Sequence, residues 1–212
     1  MSKGRLILIN IIGIIIIFAL VAGGGYYYYQ NANYVTTDEA KVAGDLSTIV
    51  APAAGQLKDW NVQEGDVLKK DANVGNVSGP DGSTAIKAVS EGTIVKEQAT
   101  NSQLVQAGQV LGQTIDMKNL YITANIEETS IQDIEEGDSV DITVDGDPDT
   151  TYEGTLEKIG YAANSVFSLM PQQNASGNYT KVTQKIPVKI SIKAPSDKVL
   201  PGMNAEVKIS TK

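Results

Sequence analysis

The spacing of apolar residues changes once along this chain, near residue 30, and the change separates two kinds of structure. Before it the apolar residues are continuous. The run LILINIIGIIIIFALVAGGGYYYY, Leu6 to Tyr29, carries no charge and has Asn10 as its only strongly polar side chain. It predicts a helix long enough to cross about 30 Å of hydrocarbon. From Tyr34 onward apolar and polar residues alternate in short runs, broken by Gly, Asp and Pro at intervals of about ten residues. That pattern predicts strands. Beyond Tyr29 no stretch sustains an apolar period of about 3.6 residues over several turns, so no long helical hairpin is available there. Only Glu128 to Ile134 reads as a short helical turn.

The first β region is repeated internally. IVAPAAGQLKDWNVQEGDVL, Ile49 to Leu68, and AIKAVSEGTIVKEQATNSQLVQAGQVL, Ala85 to Leu111, share a strand ending in Ala, a Gly-led strand and a Gly-x-Val-Leu close, in that order. Gly55 matches Gly92. Gly65, Val67 and Leu68 match Gly108, Val110 and Leu111, which makes the second copy about six residues longer in its middle. Neither copy has the apolar surface to stand alone, so the two are expected to cover one another as one sandwich. The joint between them is only NVSGPDGSTAIKA, Asn76 to Ala88. Its Pro-Asp-Gly fits a tight turn, with Pro fixing φ at the first corner and Gly accepting a positive φ.

The later strands alternate cleanly: LYITANI, DSVDITVDG, YEGTLEKIGY, IPVKISIK and NAEVKIST. Ile190, Ile192, Val207 and Ile209 mark buried faces, while Lys189, Ser191, Lys193 and Lys208 point the other way. A small barrel or sandwich is expected over Lys118 to Lys212. Within it, Ala162 to Thr183 is a long Asn/Gln/Gly-rich loop punctuated by Phe167, Leu169, Met170 and Pro171, apolar side chains that need a partner if exposed. Asn174-Ala-Ser and Asn178-Tyr-Thr match glycosylation acceptors and mark an exposed loop. DGDPDTTYEG, with Asp145, Asp147 and Asp149, has part of a calcium-loop pattern. However, Thr150 stands where that loop needs Gly and Leu156 where it needs Glu, so it reads as an acidic hairpin turn.

Composition narrows the chemistry. The chain has no cysteine and no histidine, which excludes disulfides, thiolate nucleophiles, Cys/His zinc sites and Ser-His or Cys-His catalysis together. No carboxylate pair or Ser-Lys spacing suggests an enzyme either. The net charge of -8 argues against nucleic acid, whose phosphates call for clustered Lys and Arg. Lys3 and Arg5 before the apolar run and Tyr26 to Tyr29 after it fit a cytoplasmic amino end and an outer aromatic belt. A cleaved signal peptide shares the basic start and apolar run, but this run is longer than a usual signal core, and a retained anchor is expected. With no cysteine after the run, a lipid anchor at that point is excluded.

The two β copies together resemble the biotinyl/lipoyl-like hammerhead. In that family the carrier lysine sits at the tip between the halves, here Pro80-Asp81-Gly82, where no lysine stands, and Lys87 falls within the next strand. No cofactor is expected. Taken with VTTDEAKVAGD at Val35 to Asp45, FSLMPQQNASGNYTKVTQKIPVKI at Phe167 to Ile190 and LPGMNAEVKI at Leu200 to Ile209, the chain resembles the HlyD-type membrane-fusion, or periplasmic adaptor, family, and within it the EmrA-like branch. The resemblance covers nearly all of the exported part. It departs at the joint, where larger members insert an α-helical coiled-coil hairpin and this chain has a turn. The short form resembles an adaptor that sits on its transporter without bridging an envelope.

The resemblance implies an all-β exported region, a lipoyl/biotinyl-like β-sandwich plus a small β-barrel, with one N-terminal transmembrane α-helix. The implied division is a cytoplasmic tip and anchor over 1–30, a linker and candidate first barrel strand over 31–46, the lipoyl-like domain over 47–116 and the barrel over 117–212 with its loop at 162–183. It further implies a non-enzymatic adaptor subunit of an export or multidrug efflux system, single-pass in the cell membrane with its bulk outside. The expected partners are an integral membrane transporter, of major-facilitator type first and ATP-driven type second, and further copies of the chain. Candidate partner contacts are Phe167, Leu169, Met170, Pro171, Asn174, Gly177 and Asn178. A membrane-anchored surface structural or ligand-binding protein fits the composition equally and is separated only by the motifs.

Overall fold

The computed structural model describes residues 12–25, 33–80, 82–167 (Phe167 by its backbone) and 183–211. A helix, α1, covers 12–25, and its Ile, Phe, Leu and Val side chains are exposed. Among the described residues no helix is long and apolar enough to cross a membrane. The rest of the expected span, at 6–11 and 26–29, lies outside the described residues.

The remainder is β structure in two bodies. Strands β1 (Tyr34–Ala43), β10 (Tyr121–Glu127), β11 (Ser139–Val144), β12 (Asp147–Ile159), β13 (Lys185–Ile192) and β14 (Asn204–Ser210) form a closed barrel in the order β1-β10-β13-β12-β11-β14. Closure depends on β1, which pairs antiparallel with both β10 and β14 and so joins the two ends of the sheet. The period-two pattern fills the interior: Ile122, Ala124 and Ile126 from β10, Val140, Ile142 and Val144 from β11, Ile190 from β13, Val207 and Ile209 from β14 are all buried. The helical turn expected after β10 is a 3-10 turn at Glu128–Asp133.

Between β1 and β10 the chain forms the sandwich. One sheet is ordered β2 (Leu46–Val50), β9 (Val110–Ile115), β7 (Gly92–Glu97), β4 (Val67–Leu68); the other β6 (Gly82–Lys87), β5 (Asn73–Gly79), β3 (Gly55–Lys58), β8 (Leu104–Val105). Exchanging β2 with β6, β3 with β7, β4 with β8 and β5 with β9 turns one order into the other, so the domain has an internal two-fold. Each sheet takes two strands from each half, and neither half is a sheet without the other. Leu57 and Ile94, two-fold counterparts, are both buried in the shared core with Ile49, Val77, Ile86 and Leu111.

The hydrogen bonds correct the alignment of the repeat. Gly65 N donates to Ile94 O at 2.8 Å and Ser102 N to Leu57 O at 2.8 Å; Asp71 N donates to Ala88 O at 2.9 Å and Gly108 N to Ala51 O at 2.8 Å. The first bond maps onto the second, and the third onto the fourth, by one constant shift of 37 residues, that of Gly55 to Gly92. Gly65 therefore corresponds to Ser102, and Gly108 to Asp71, with no insertion in the second copy. The expected match of Gly65 with Gly108 fails because two of the four left-handed corners are not glycine: Asp71 stands at φ 63 and Ser102 at φ 71. A single polar residue can occupy that region at modest cost.

The joint is the tight turn that its sequence predicts. The β5–β6 ladder closes at Gly79 opposite Gly82, which takes φ +117, and leaves only Pro80 and Asp81 between them. This tip stands at the end of the sandwich away from the barrel. Strand β6 starts at the tip, and just beyond its other end Ser90 Oγ donates to Ser47 Oγ at 2.9 Å, beside the point where the chain passes from the barrel into β2. Six residues of strand separate the two ends by about 20 Å.

Candidate interaction surface

The barrel end away from the sandwich carries the described feet of the loop that the sequence singles out. The registers place the start of β1 (Tyr34), the finish of β14 (Ser210), the finish of β10 (Glu127) and the start of β13 (Lys185) on one rim, with the finish of β12 (Ile159) beside them. The chain thus arrives from α1 at the same rim from which the β12–β13 loop springs.

Both feet of that loop are fixed. A 3-10 turn at Asn164–Phe167 ends the described part of the first foot, and Asn164 Nδ2 donates to Asn125 Oδ1 at 2.8 Å. At the second, Glu128 N donates to Gln184 O at 2.9 Å and Lys185 pairs with Glu39. Of the expected contact residues, Phe167 ends the 3-10 turn, and Leu169, Met170, Pro171, Asn174, Gly177 and Asn178 lie outside the described residues.

Two contact candidates were not singled out from the sequence. Tyr161 is 93 % exposed and Val166 70 % exposed, both on the loop's first foot. Tyr161 looks like the end of a strand in the sequence, but β12 stops at Ile159, where the Gly160 N–H turns to Pro187 O at 2.8 Å. Lys158 lies 5.6 Å from the Tyr161 ring and Lys208 3.9 Å from that of Tyr34. Strand β1 bulges at Asp38 and Glu39, setting both beside Glu206 in an open polar cleft that Asn125, Ser130 and Asp133 also line.

The opposite end of the barrel is closed by the segment between β13 and β14. Asp147, expected in a solvated acidic turn, is instead the first residue of β12 and buried. Its carboxylate accepts from Tyr152 Oη at 2.7 Å, from Ser196 Oγ at 3.2 Å and from Lys198 Nζ at 2.9 Å. The Tyr152 and Lys198 bonds, in that order, lower the Asp147 pKa from 3.8 to about 2, and Asp147 in turn raises that of Lys198. This cluster ties the segment down over Val199, which enters the barrel core. Among the described residues no group of three or more acids could hold a metal ion.

Residues 45–116 match the family described as "YhbJ, barrel-sandwich hybrid domain", and residues 120–209 that described as "YknX-like beta-barrel domain". Over 210 residues, 99% of this chain and 95% of the relative, the sequence is 64% identical to YhbJ of Bacillus subtilis, which carries the name of an efflux system component. It is 38% identical over 97 residues to the colistin resistance protein EmrA of Acinetobacter baumannii, a match covering 45% of this chain and 28% of that one. Among solved structures, a MacA-MexA chimeric protein containing the Pseudomonas aeruginosa MexA alpha-hairpin domain matches with a TM-score of 0.68 at 13% identity, over 85% of this chain and 83% of that one. At that identity the likeness is one of fold.

Proposed function

The chain belongs to the membrane-fusion (adaptor) family as an EmrA-like form without the coiled-coil hairpin, and from that premise we propose that it is the anchored adaptor subunit of an export system, seated on the outward face of an integral membrane transporter. The observation that carries this reading is the shared rim. Residues 26–33 between α1 and Tyr34 can span at most about 30 Å, so a rim tethered to a membrane-inserted α1 stays close to the bilayer. The described feet of the loop at 162–183 stand on that rim, and in this reading its expected contacts Phe167, Leu169, Met170, Pro171, Asn174, Gly177 and Asn178 meet the transporter. Tyr161 and Val166 extend the apolar surface along the loop's foot.

The anchor in this reading is the uncharged stretch from Leu6 to Tyr29, of which α1 is the described part, with the β bodies outside the cell. The EmrA-like relatives favour a major-facilitator partner and an amphipathic or drug-like cargo, with an ATP-driven pump as the second choice. The adaptor does no chemistry; several copies assemble around the transporter, whose own cycle moves the cargo. The test is a gentle detergent extraction of the tagged full-length chain from its native membrane, with mass identification of what co-purifies. A multi-span transporter in comparable amount supports the reading and identifies its energy source. Recovery of wall or surface components alone would overturn it in favour of a surface structural protein.

A further inference from the structure

We infer that the sandwich and the barrel are welded into one stiff rod, so that a displacement at the far rim of the barrel reaches the Pro80 tip without being absorbed between the domains. The chain crosses between them twice, and each crossing is short. The β1–β10 ladder runs to Ala43 opposite Tyr121, and the β2–β9 ladder begins at Leu46 opposite Ile115. Only Gly44 and Asp45 separate the ladders on one strand.

The apolar packing is continuous across this gap. Ile115, the last residue of a sandwich strand, is buried in the barrel's core cluster with Leu120, and Val95 and Met117 pack against the same cluster. Gly44 has no room for a side chain: a Cβ there would lie 2.5 Å from Ile115 Cγ2 and 3.0 Å from Leu120 Cδ2. Bending at the two-residue link would have to separate Ile115 and Leu120 from Gly44 and open the core to water, which close-packed interiors resist. The second crossing is held by its own turn, where the Asp116 carboxylate accepts from Lys118 N at 3.0 Å and from Asn119 Nδ2 at 2.6 Å. Lys118 also reaches Glu91 of the sandwich at 2.8 Å, but both side chains are exposed and the pair contributes little. The weld is apolar.

The inference does not depend on the transporter reading and can be tested without a partner. Since the chain lacks cysteine, the full-length protein can carry paired spin labels at Ser83→Cys, beside the tip, and Thr151→Cys, on the barrel, with Thr151→Cys and Lys41→Cys, exposed on β1 three strands round the ring, as a pair within the barrel. Pulsed dipolar spectroscopy is expected to give a single tip-to-barrel distance with the same width as the control. A tip-to-barrel distribution about twice as wide, or two distances, would overturn the weld. Glu91→Gln should leave the width unchanged, whereas Gly44→Val should broaden it. If Gly44→Val does not fold, Ile115→Ala, which empties the same contact, replaces it. A folded variant at either position that keeps the narrow distribution would overturn the assignment of stiffness to this packing.

Discussion

The sandwich and the barrel close a β core in different ways, and the difference decides what each position is for. The sandwich uses one unit twice: every strand has a two-fold counterpart in the other sheet, and two of its four edge strands, β4 and β8, are only two residues long. The barrel uses each strand once and has no edge, because β1, from before the sandwich in sequence, completes the ring. A sandwich position can therefore be compared with its counterpart inside the same molecule. Where counterparts differ, the surroundings must supply the reason. A barrel position has no such partner, and its closing segment is tied down by the buried carboxylate of Asp147.

The largest effects should show the two-fold at its strictest. Leu57 and Ile94 occupy equivalent, fully covered sites, so Leu57→Ala and Ile94→Ala should each cost about 2–5 kcal/mol and agree within about 1 kcal/mol. Denaturant unfolding of the two variants measures this. If one costs several times the other, the halves do not share the core equally. Because the domains are joined through Ile115, both variants should also unfold in one transition with the barrel rather than losing the sandwich first.

The counterpart glycines should break the symmetry in a defined direction. A Cβ at Gly55 would stand 2.3 Å from Ser78 O and 2.7 Å from Ser78 C, whereas at Gly92 its nearest neighbour, Ile115 O, is at 2.9 Å. Both obstacles are backbone, so the strands must shift. Gly55→Ala should cost about 3 kcal/mol and Gly92→Ala about 1–2 kcal/mol, within the range of overpacked cores. Equal losses in thermal unfolding would show that the two turns relax alike and that the difference in clearance has no energetic weight.

These glycines also show what the sequence made legible. Gly55 and Gly92 were readable as counterparts because strand packing admits nothing larger at either site. The barrel strands were readable because Val, Ile and Leu recur at period two and face one core. The corners were not readable. Asp71 and Ser102 occupy left-handed conformations usually given to glycine, so a match by residue type aligned Gly65 with Gly108 and created an insertion that does not exist. Asp147 was hidden for a related reason. DGDPDTT has the composition of a solvated turn, and only contact with Tyr152, five residues on, and with Ser196 and Lys198, far off in sequence, makes its first strand residue a buried acceptor. The proposed partner surface rests on composition alone, a polar loop punctuated by apolar residues, whereas Tyr161 and Val166 required knowing where β12 ends.

Acid should separate the barrel from the sandwich by the smallest of these effects. The Asp147 carboxyl is held at about 2 in the folded chain, against 3.8 when unperturbed, chiefly by the Tyr152 and Lys198 hydrogen bonds. A group whose pKa falls on folding binds protons more readily in the unfolded chain, so its contribution is complete above about pH 4 and drains away as pH drops towards 2. Other carboxylates titrate in the same window, Asp116 among them, its pKa lowered by the Lys118 backbone N–H and by Asn119. The informative quantity is therefore a difference. Asp147→Asn keeps the size of the side chain and cannot lose a proton, so it should lie below the parent in melting temperature at pH 6 and approach it as pH falls to 3. Thermal unfolding followed across that range measures the gap. A gap that stays constant with pH would mean that the Asp147 charge contributes nothing beyond the shape of its side chain, and that the segment over the barrel is held by Val199 and its apolar neighbours alone.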